Sequence, residues 1–141
     1  MGKCYNQAII NKPIETVWAT IRDFHHMEWA KEVVETTEKV GTCDGTTVGA
    51  QRILNQAFFE TLLTLDDKEH SFTYRIDDGP GPIAKVAVNN YIGSVKATPI
   101  EAEGRTMVEW SSTFEANDED AVGDFCNPIY QGLLHSLQEN I

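Results

Sequence analysis

An arginine and a glutamate on neighbouring extended segments are the residues of this sequence best placed to do chemistry. Strand alternation puts Val48, Ala50, Arg52 and Leu54 on one face of the first segment, and Phe58, Glu60, Leu62 and Thr64 on one face of the next. If an Asn55-Gln56-Ala57 loop joins the two as a hairpin, Leu54 pairs with Phe58 and Arg52 lies directly opposite Glu60. Among apolar neighbours such a pair is partly desolvated, and it could orient the polar group of a ligand or move a proton. The pattern leaves the face open. Ile53, Phe59, Leu63 and Leu65 make the opposite side apolar as well, and a pair turned outward would be an ordinary cross-strand salt bridge.

Other chemistries find less support. Gly79-Pro80-Gly81-Pro82-Ile83-Ala84 matches the spacing of a dinucleotide-binding loop, but prolines at both variable positions remove N–H donors that a pyrophosphate needs, and no helix follows. His25 and His26 are adjacent, diverge on any regular element, and read as surface or packing residues rather than metal ligands. Ser111, Ser112 and Cys126 have no identifiable base partner, and the sequence carries none of the common hydrolase, zinc-protease or phosphate-loop motifs. Cys4, Cys43 and Cys126 are an odd number, far apart and without Cys-x-x-Cys spacing. Reduced thiols are expected, not a disulfide framework or a zinc site. No metal and no cofactor is expected. Met1-Gly2-Lys3-Cys4 comes near an acylation signal, but Asn6 stands where Ser or Thr is needed.

The elements that must position the pair follow from periodicity. Residues 3–11 alternate and suit a first strand. Pro13 and Glu15 open a helix whose stripe is Ile14, Val17, Trp18, Ile21 and Phe24, and His25 to Trp29 reads as a short second helix or turn. The texture then turns to β, with strands expected at Val33-Val34 through Thr36-Thr37, Val48 to Leu54, Phe58 to Leu65, and Ser71 to Ile76. Asp77-Asp78-Gly79-Pro80-Gly81-Pro82 breaks the run as a loop. Strands resume over Val86 to Thr98 and Thr106 to Ala116, with a turn near Glu103-Gly104. Asn117-Asp118-Glu119-Asp120 caps a last helix carrying Val122, Phe125, Ile129, Leu133 and Leu137, which Pro128 should kink or break. One strand, a helix pair, six strands and a long helix make a single α+β domain over residues 1–141.

Composition narrows the partners. The 141 residues are 41% hydrophobic and 23% charged, as in a globular chain. Eleven Lys plus Arg against 22 Asp plus Glu leave a formal charge of −11, and the basic residues are scattered from Lys3 to Arg105. Nucleic acid and anionic membranes reward clustered cations, so neither is an expected partner. No apolar run approaches the length of a membrane span, and no basic-then-apolar leader opens the sequence, so membrane insertion is not expected and a cytoplasmic protein is.

Pro13-Ile14-Glu15-Thr16-Val17-Trp18, Asp23-Phe24 and Trp29 resemble the opening of the START-like (Bet v 1-like) superfamily, the group with a helix-grip fold that includes polyketide cyclases, plant allergens and abscisic-acid receptors. Val48-Gly49-Ala50-Gln51-Arg52 followed by Glu60-Thr61-Leu62-Leu63-Thr64-Leu65-Asp66-Asp67 is similar to the Gly-x-x-Arg and Glu-x-Leu-x-x-Leu-Asp run of the receptor and cyclase branches. Asn90-Tyr91 and Val108-Glu109-Trp110 fall in the matching strands. The resemblance implies a seven-stranded antiparallel sheet wrapped around the long C-terminal helix, with a cavity between them. It implies that Arg52, Glu60 and Tyr91 approach that cavity, that Trp110, Ser112 and Phe114 form a wall, and that Phe125, Ile129 and Leu133 close it from the helix. The sequence departs from the hormone receptors at several points: Val34 and Glu35 stand near their ligand-holding lysine, Asn55-Gln56-Ala57 replaces their longer gate, and Gly93 stands where they carry a serine. It is most similar to small bacterial members termed cyclase/dehydrase or lipid-transport proteins, including accessory proteins associated with methanol oxidation.

On that resemblance the first expectation is a carrier or sensor that holds a small apolar or aromatic molecule, with Arg52, Glu60 and Tyr91 orienting it. The loop at residues 78–84 is then a lid or a stiff connection. An alternative is a cofactor-independent cyclase, dehydratase or isomerase, with Glu60 as acid-base, Arg52 stabilising an oxyanion and Tyr91 donating a proton. A third is an accessory or assembly protein.

Overall fold

The computed structural model describes residues 1–100 and 104–141. The chain runs β1 (Gly2–Ile10), α1 (Ile14–Ile21), a 3-10 turn (Glu28–Ala30), β2 (Thr37–Val40), β3 (Gln51–Leu54), β4 (Phe58–Asp66), β5 (Ser71–Asp78), a second 3-10 turn (Gly81–Ile83), β6 (Val88–Ile100), β7 (Arg105–Ala116) and α2 (Glu119–Asn140). The strands form one antiparallel sheet in the order β1-β7-β6-β5-β4-β3-β2. This is the α+β helix-grip arrangement: a curved sheet closing on a long C-terminal helix, with a short helix after the first strand. The apolar residues sealed between sheet and helices include Val17, Phe24, Leu62, Val95, Val108 and Leu137.

Local chemistry accounts for most boundaries. The Asp118 carboxylate caps α2 by accepting from the Ala121 N–H at 3.0 Å. The helix runs through Pro128 without a break. Trp18 and Arg22 tie α1 to the β4–β5 turn, because the Trp18 indole and the Arg22 guanidinium both donate to the Asp67 carboxylate at 2.8–3.0 Å.

Three expectations need correction. Val33 and Val34 are not in a strand: their N–H groups close a turn on the Ala30 carbonyl at 2.9 and 2.8 Å, and pairing begins only at Thr37. The second member of the expected helix pair takes the other form the sequence allowed, a single 3-10 turn over Glu28–Ala30. Val48 leaves the face it was assigned to, because Gly49 takes a left-handed conformation (φ 98°) and β3 starts at Gln51; Val48 ends up exposed. Asp77 and Asp78 complete β5 instead of opening the loop, and β6 begins at Val88 because Ala87 and Val88 still fold back onto the Ala84 carbonyl. Of the expected Glu103-Gly104 turn, Glu103 lies outside the described residues, while Gly104 is left-handed with φ 60°.

Among the described residues no helix is long and apolar enough to cross a membrane, and no group of His, Cys, Asp and Glu could hold a metal ion. The three cysteines are free; Cys4 and Cys126 are buried and Cys43 is exposed.

Candidate functional site

The hairpin forms in the anticipated register. Asn55 and Gln56 both take left-handed conformations (φ 54° and 57°), Leu54 pairs with Phe58, and Arg52 lies opposite Glu60. Asparagine tolerates this backbone better than most residues, and its side chain adds a reason to be there. Asn55 Oδ1 accepts from Glu35 N–H at 2.6 Å, and Nδ2 donates to the Val33 carbonyl at 2.9 Å, fastening the hairpin to the segment beside it.

The face left open by the sequence is decided: Arg52 and Glu60 point inward and are 3% and 5% exposed. Ile53 and Phe59 face outward, with Phe59 exposed. A bulge at Leu63 then reverses the parity of β4. Thr64, expected beside Glu60, turns to solvent and Leu65 packs on the core instead.

Arg52 is held on every side. Its Nε and Nη2 reach Glu60 Oε1 at 2.8 and 2.7 Å, and Nη1 donates to the Phe24 carbonyl at 2.9 Å and meets Met27 Sδ at 3.3 Å. The Phe24 ring covers the guanidinium with its centroid 3.8 Å from Cζ. Burial pushes the Glu60 carboxyl above its ordinary value, and Arg52 offsets only part of that rise.

A second bulge aims Tyr91. β6 carries an extra residue between Asn89 and Ile92, Asn90 is left-handed (φ 52°), and beyond it Tyr91, Gly93, Val95 and Ala97 face inward. The Tyr91 hydroxyl is hydrogen-bonded to that of Tyr130 on α2. Beside them the Trp110 indole donates to the Tyr74 hydroxyl at 2.9 Å. Burial raises the pKa of Tyr74, Tyr91 and Tyr130, so all three are neutral at pH 7. It also pushes the Cys126 thiol up to about 11, which leaves it a poor nucleophile.

These residues surround a cavity of about 50 Å³ between β3–β7 and α2. Arg52, Glu60, Tyr91, Trp110, Ile129 and Leu133 all line it, brought together from five elements. Ser112, Phe114 and Phe125 do not. Ser112 lies behind the wall beside Cys4, Tyr91 and Tyr130, its buried hydroxyl not reaching hydrogen-bonding geometry with a partner among the described residues. Phe114 backs Tyr91, their rings stacked 5.6 Å apart. Phe125 stacks on Phe58 at 6.4 Å, and it is Phe58 that reaches the lining.

Sequence reasoning missed Tyr74, Tyr130 and Ile83. Tyr74 alternates with Phe72 on β5, a usable signal. Tyr130 lies one residue beyond the expected apolar stripe of α2, and Ile83 sits in a loop with no period to reveal it. Ile83 is nonetheless 1% exposed and forms part of the lining. Gly79 makes room for it, since a Cβ there would meet Ile83 Cδ1 at 2.6 Å.

Residues 1–141 match the model of the family described as polyketide cyclase / dehydrase and lipid transport. The chain belongs to this family. A protein of Nitrosospira multiformis is similar in both sequence and structure: it is 35% identical, the match covers 97% of this chain and 94% of that one, and the two superpose with a TM-score of 0.94. XoxI from Bacillus cereus is 23% identical over 99% of this chain and 94% of its own, with a TM-score of 0.79. Norcoclaurine synthase from Thalictrum flavum, solved with dopamine and hydroxybenzaldehyde, is 11% identical over 97% of this chain and 84% of its own, with a TM-score of 0.75. These last two likenesses establish the shared fold alone. No curated protein matches the sequence.

Proposed function

We propose that the protein binds a small hydrophobic or aromatic molecule in the cavity between the sheet and α2, as a carrier or sensor. The observation that supports this most is an apolar, aromatic-lined cavity that contains a desolvated Arg52–Glu60 pair, the composition of a small-molecule site. Membership of a family described by polyketide chemistry and lipid transport agrees with it. At about 50 Å³ the cavity holds a few waters, whereas a site that takes up benzene is about 150 Å³. Binding therefore requires the wall to move, and the half-buried Phe58–Phe125 pair is the part best able to do so.

Titration with naphthalene, followed through the Trp110 indole N–H resonance, tests this reading. A saturable shift is expected in the wild type and none in Leu133→Trp, which fills the cavity. A wild-type protein whose Trp110 signal does not respond would end the proposal. Native mass spectrometry after gentle purification, with organic extraction, would identify the class of any natural occupant.

A second reading is proton transfer at Glu60, favoured by its raised carboxyl pKa and by Tyr91 on the same wall. Engagement of Arg52 with Glu60, Phe24 and Met27 weighs against its serving as an oxyanion donor. Under this reading Glu60→Gln removes turnover and leaves binding within a few-fold; retained turnover rejects Glu60 as the base.

A further inference from the structure

The two partners of the buried pair differ in what they still offer a ligand. Arg52 directs four of its five N–H groups at protein atoms: Nε and Nη2 at Glu60 Oε1, and the two of Nη1 at the Phe24 carbonyl and Met27 Sδ. The Phe24 ring lies against its face. Glu60 is the opposite case. Oε1 takes both contacts from Arg52, while Oε2 accepts no hydrogen bond among the described residues. Glu60 itself lines the cavity, and Oε2 is the carboxylate oxygen that Arg52 leaves unengaged there.

That asymmetry sorts ligands by chemistry. A carboxylate or phosphate needs a free fork of donors, which Arg52 no longer presents, and it would bring its charge against Oε2. A molecule with acceptors only meets another acceptor. A hydroxyl or amine donor meets a carboxylate oxygen already held in place, and an apolar isostere leaves that oxygen unpaired. The remaining wall favours a flat ring, since Phe58, Tyr74, Tyr91, Trp110 and Tyr130 all contribute to it.

We propose that the cavity selects uncharged aromatic molecules bearing a hydroxyl or amine donor, accepted by Glu60 Oε2, and that it rejects anions. Arg52 is then a positioning residue that orients Glu60. The proposal rests on the cavity-binding reading and adds the ligand class to it.

Three probes of one size separate the outcomes: 2-naphthol, 2-methylnaphthalene and 2-naphthoate, titrated at pH 7 by calorimetry. In the wild type 2-naphthol binds about tenfold or more tightly than 2-methylnaphthalene, as expected for a hydrogen bond to a charged group, and 2-naphthoate binds most weakly. In an Arg52→Met/Glu60→Leu double variant the naphthol-to-hydrocarbon ratio falls to within about twofold, whatever the absolute affinity, because the acceptor is gone. Equal wild-type affinities for 2-naphthol and 2-methylnaphthalene overturn the selectivity and leave cavity binding intact. So does preferred binding of 2-naphthoate, or a preference that persists in the double variant. Failure of all three probes to bind overturns the cavity reading and this inference together. If the double variant does not fold, the ¹³C resonance of the Glu60 carboxyl in the wild type decides: 2-naphthol shifts it and 2-methylnaphthalene does not.

Discussion

Arg52 and Glu60 stabilise the fold only as a pair. Each has left water, and each is tolerated because the other is 2.7–2.8 Å away. Glu60→Leu should therefore cost about 3–5 kcal/mol by stranding a buried guanidinium, while adding Arg52→Met should recover most of the loss. Urea-denaturation midpoints of the two variants measure this, and equal midpoints would show that the stranded charge finds solvent. Gly93 is a second residue whose identity is set by one neighbour. A Cβ there would lie 2.2 Å from Tyr74 Cζ, so the ring occupies the space a side chain would take. Gly93→Ala should push Tyr74 off the Trp110 indole and cost about 1–3 kcal/mol, the usual range for overpacking. A thermal melt together with the Trp110 indole N–H shift reports both effects. The Tyr74 ring and hydroxyl, reaching in from the adjacent strand, thus take the space a side chain at this position would need.

Among the elements, the connection from Gly79 to Ala84 has two characters at once. Its backbone is irregular, yet Ile83 is as buried as the sheet core and Asp78 Oδ1 holds both ends by accepting from the Gly79 and Lys85 N–H groups at 2.9 Å. Ile83→Ala should cost about 2–4 kcal/mol if the loop is anchored in this way; a loss below about 0.5 kcal/mol would mark it as a loosely seated lid. The clasp of α1 on the β4–β5 turn has a pH signature. Asp67 titrates below the ordinary carboxylate range because Arg22 and Trp18 donate to its ionised form. A lowered folded pKa contributes stability that is present above the unfolded value, about 4, and is lost as pH falls through the folded one. The stability gap between wild type and Asp67→Asn should be below about 1 kcal/mol at pH 7, since the carboxylate is 58% exposed. It should close as the pH is lowered beneath 4. Glu60 works in the other direction: its raised pKa keeps the proton longer in the folded state, so its contribution is greatest in acid and declines as pH rises through that value.

For the whole molecule, burial separates three chemically similar thiols. Cys4 lies on the edge strand and Cys126 on α2, both inside the closed sheet–helix shell, whereas Cys43 sits exposed between β2 and β3. Iodoacetamide under native conditions should modify Cys43 alone, as counted by intact mass, and all three cysteines after denaturation. Because Cys126 lines the cavity and has its thiol raised to about 11, slow labelling at that position measures how often the shell opens on the cavity side. Rapid native labelling of Cys126 would mean that the closed form is a minor state.

Legibility followed sequence distance. The Arg52–Glu60 opposition was readable because one short loop joins the two strands, and a hairpin loop sets its own register. The order of strands and helices was readable because periods of two and of about 3.6 residues are local properties. What required the tertiary structure is whatever depends on parity or on partners remote in sequence. The bulges at Leu63 and Asn90 reverse which residues face inward, and alternation alone does not show where an extra residue enters a strand. Tyr74, Ile83 and Tyr130 reach the cavity from β5, the second 3-10 turn and α2, and Tyr130 comes from an element remote in sequence from the Arg52–Glu60 hairpin. The size of the cavity was equally out of reach, because it is the small difference between the space enclosed by sheet and helix and the volume of the rings that fill it.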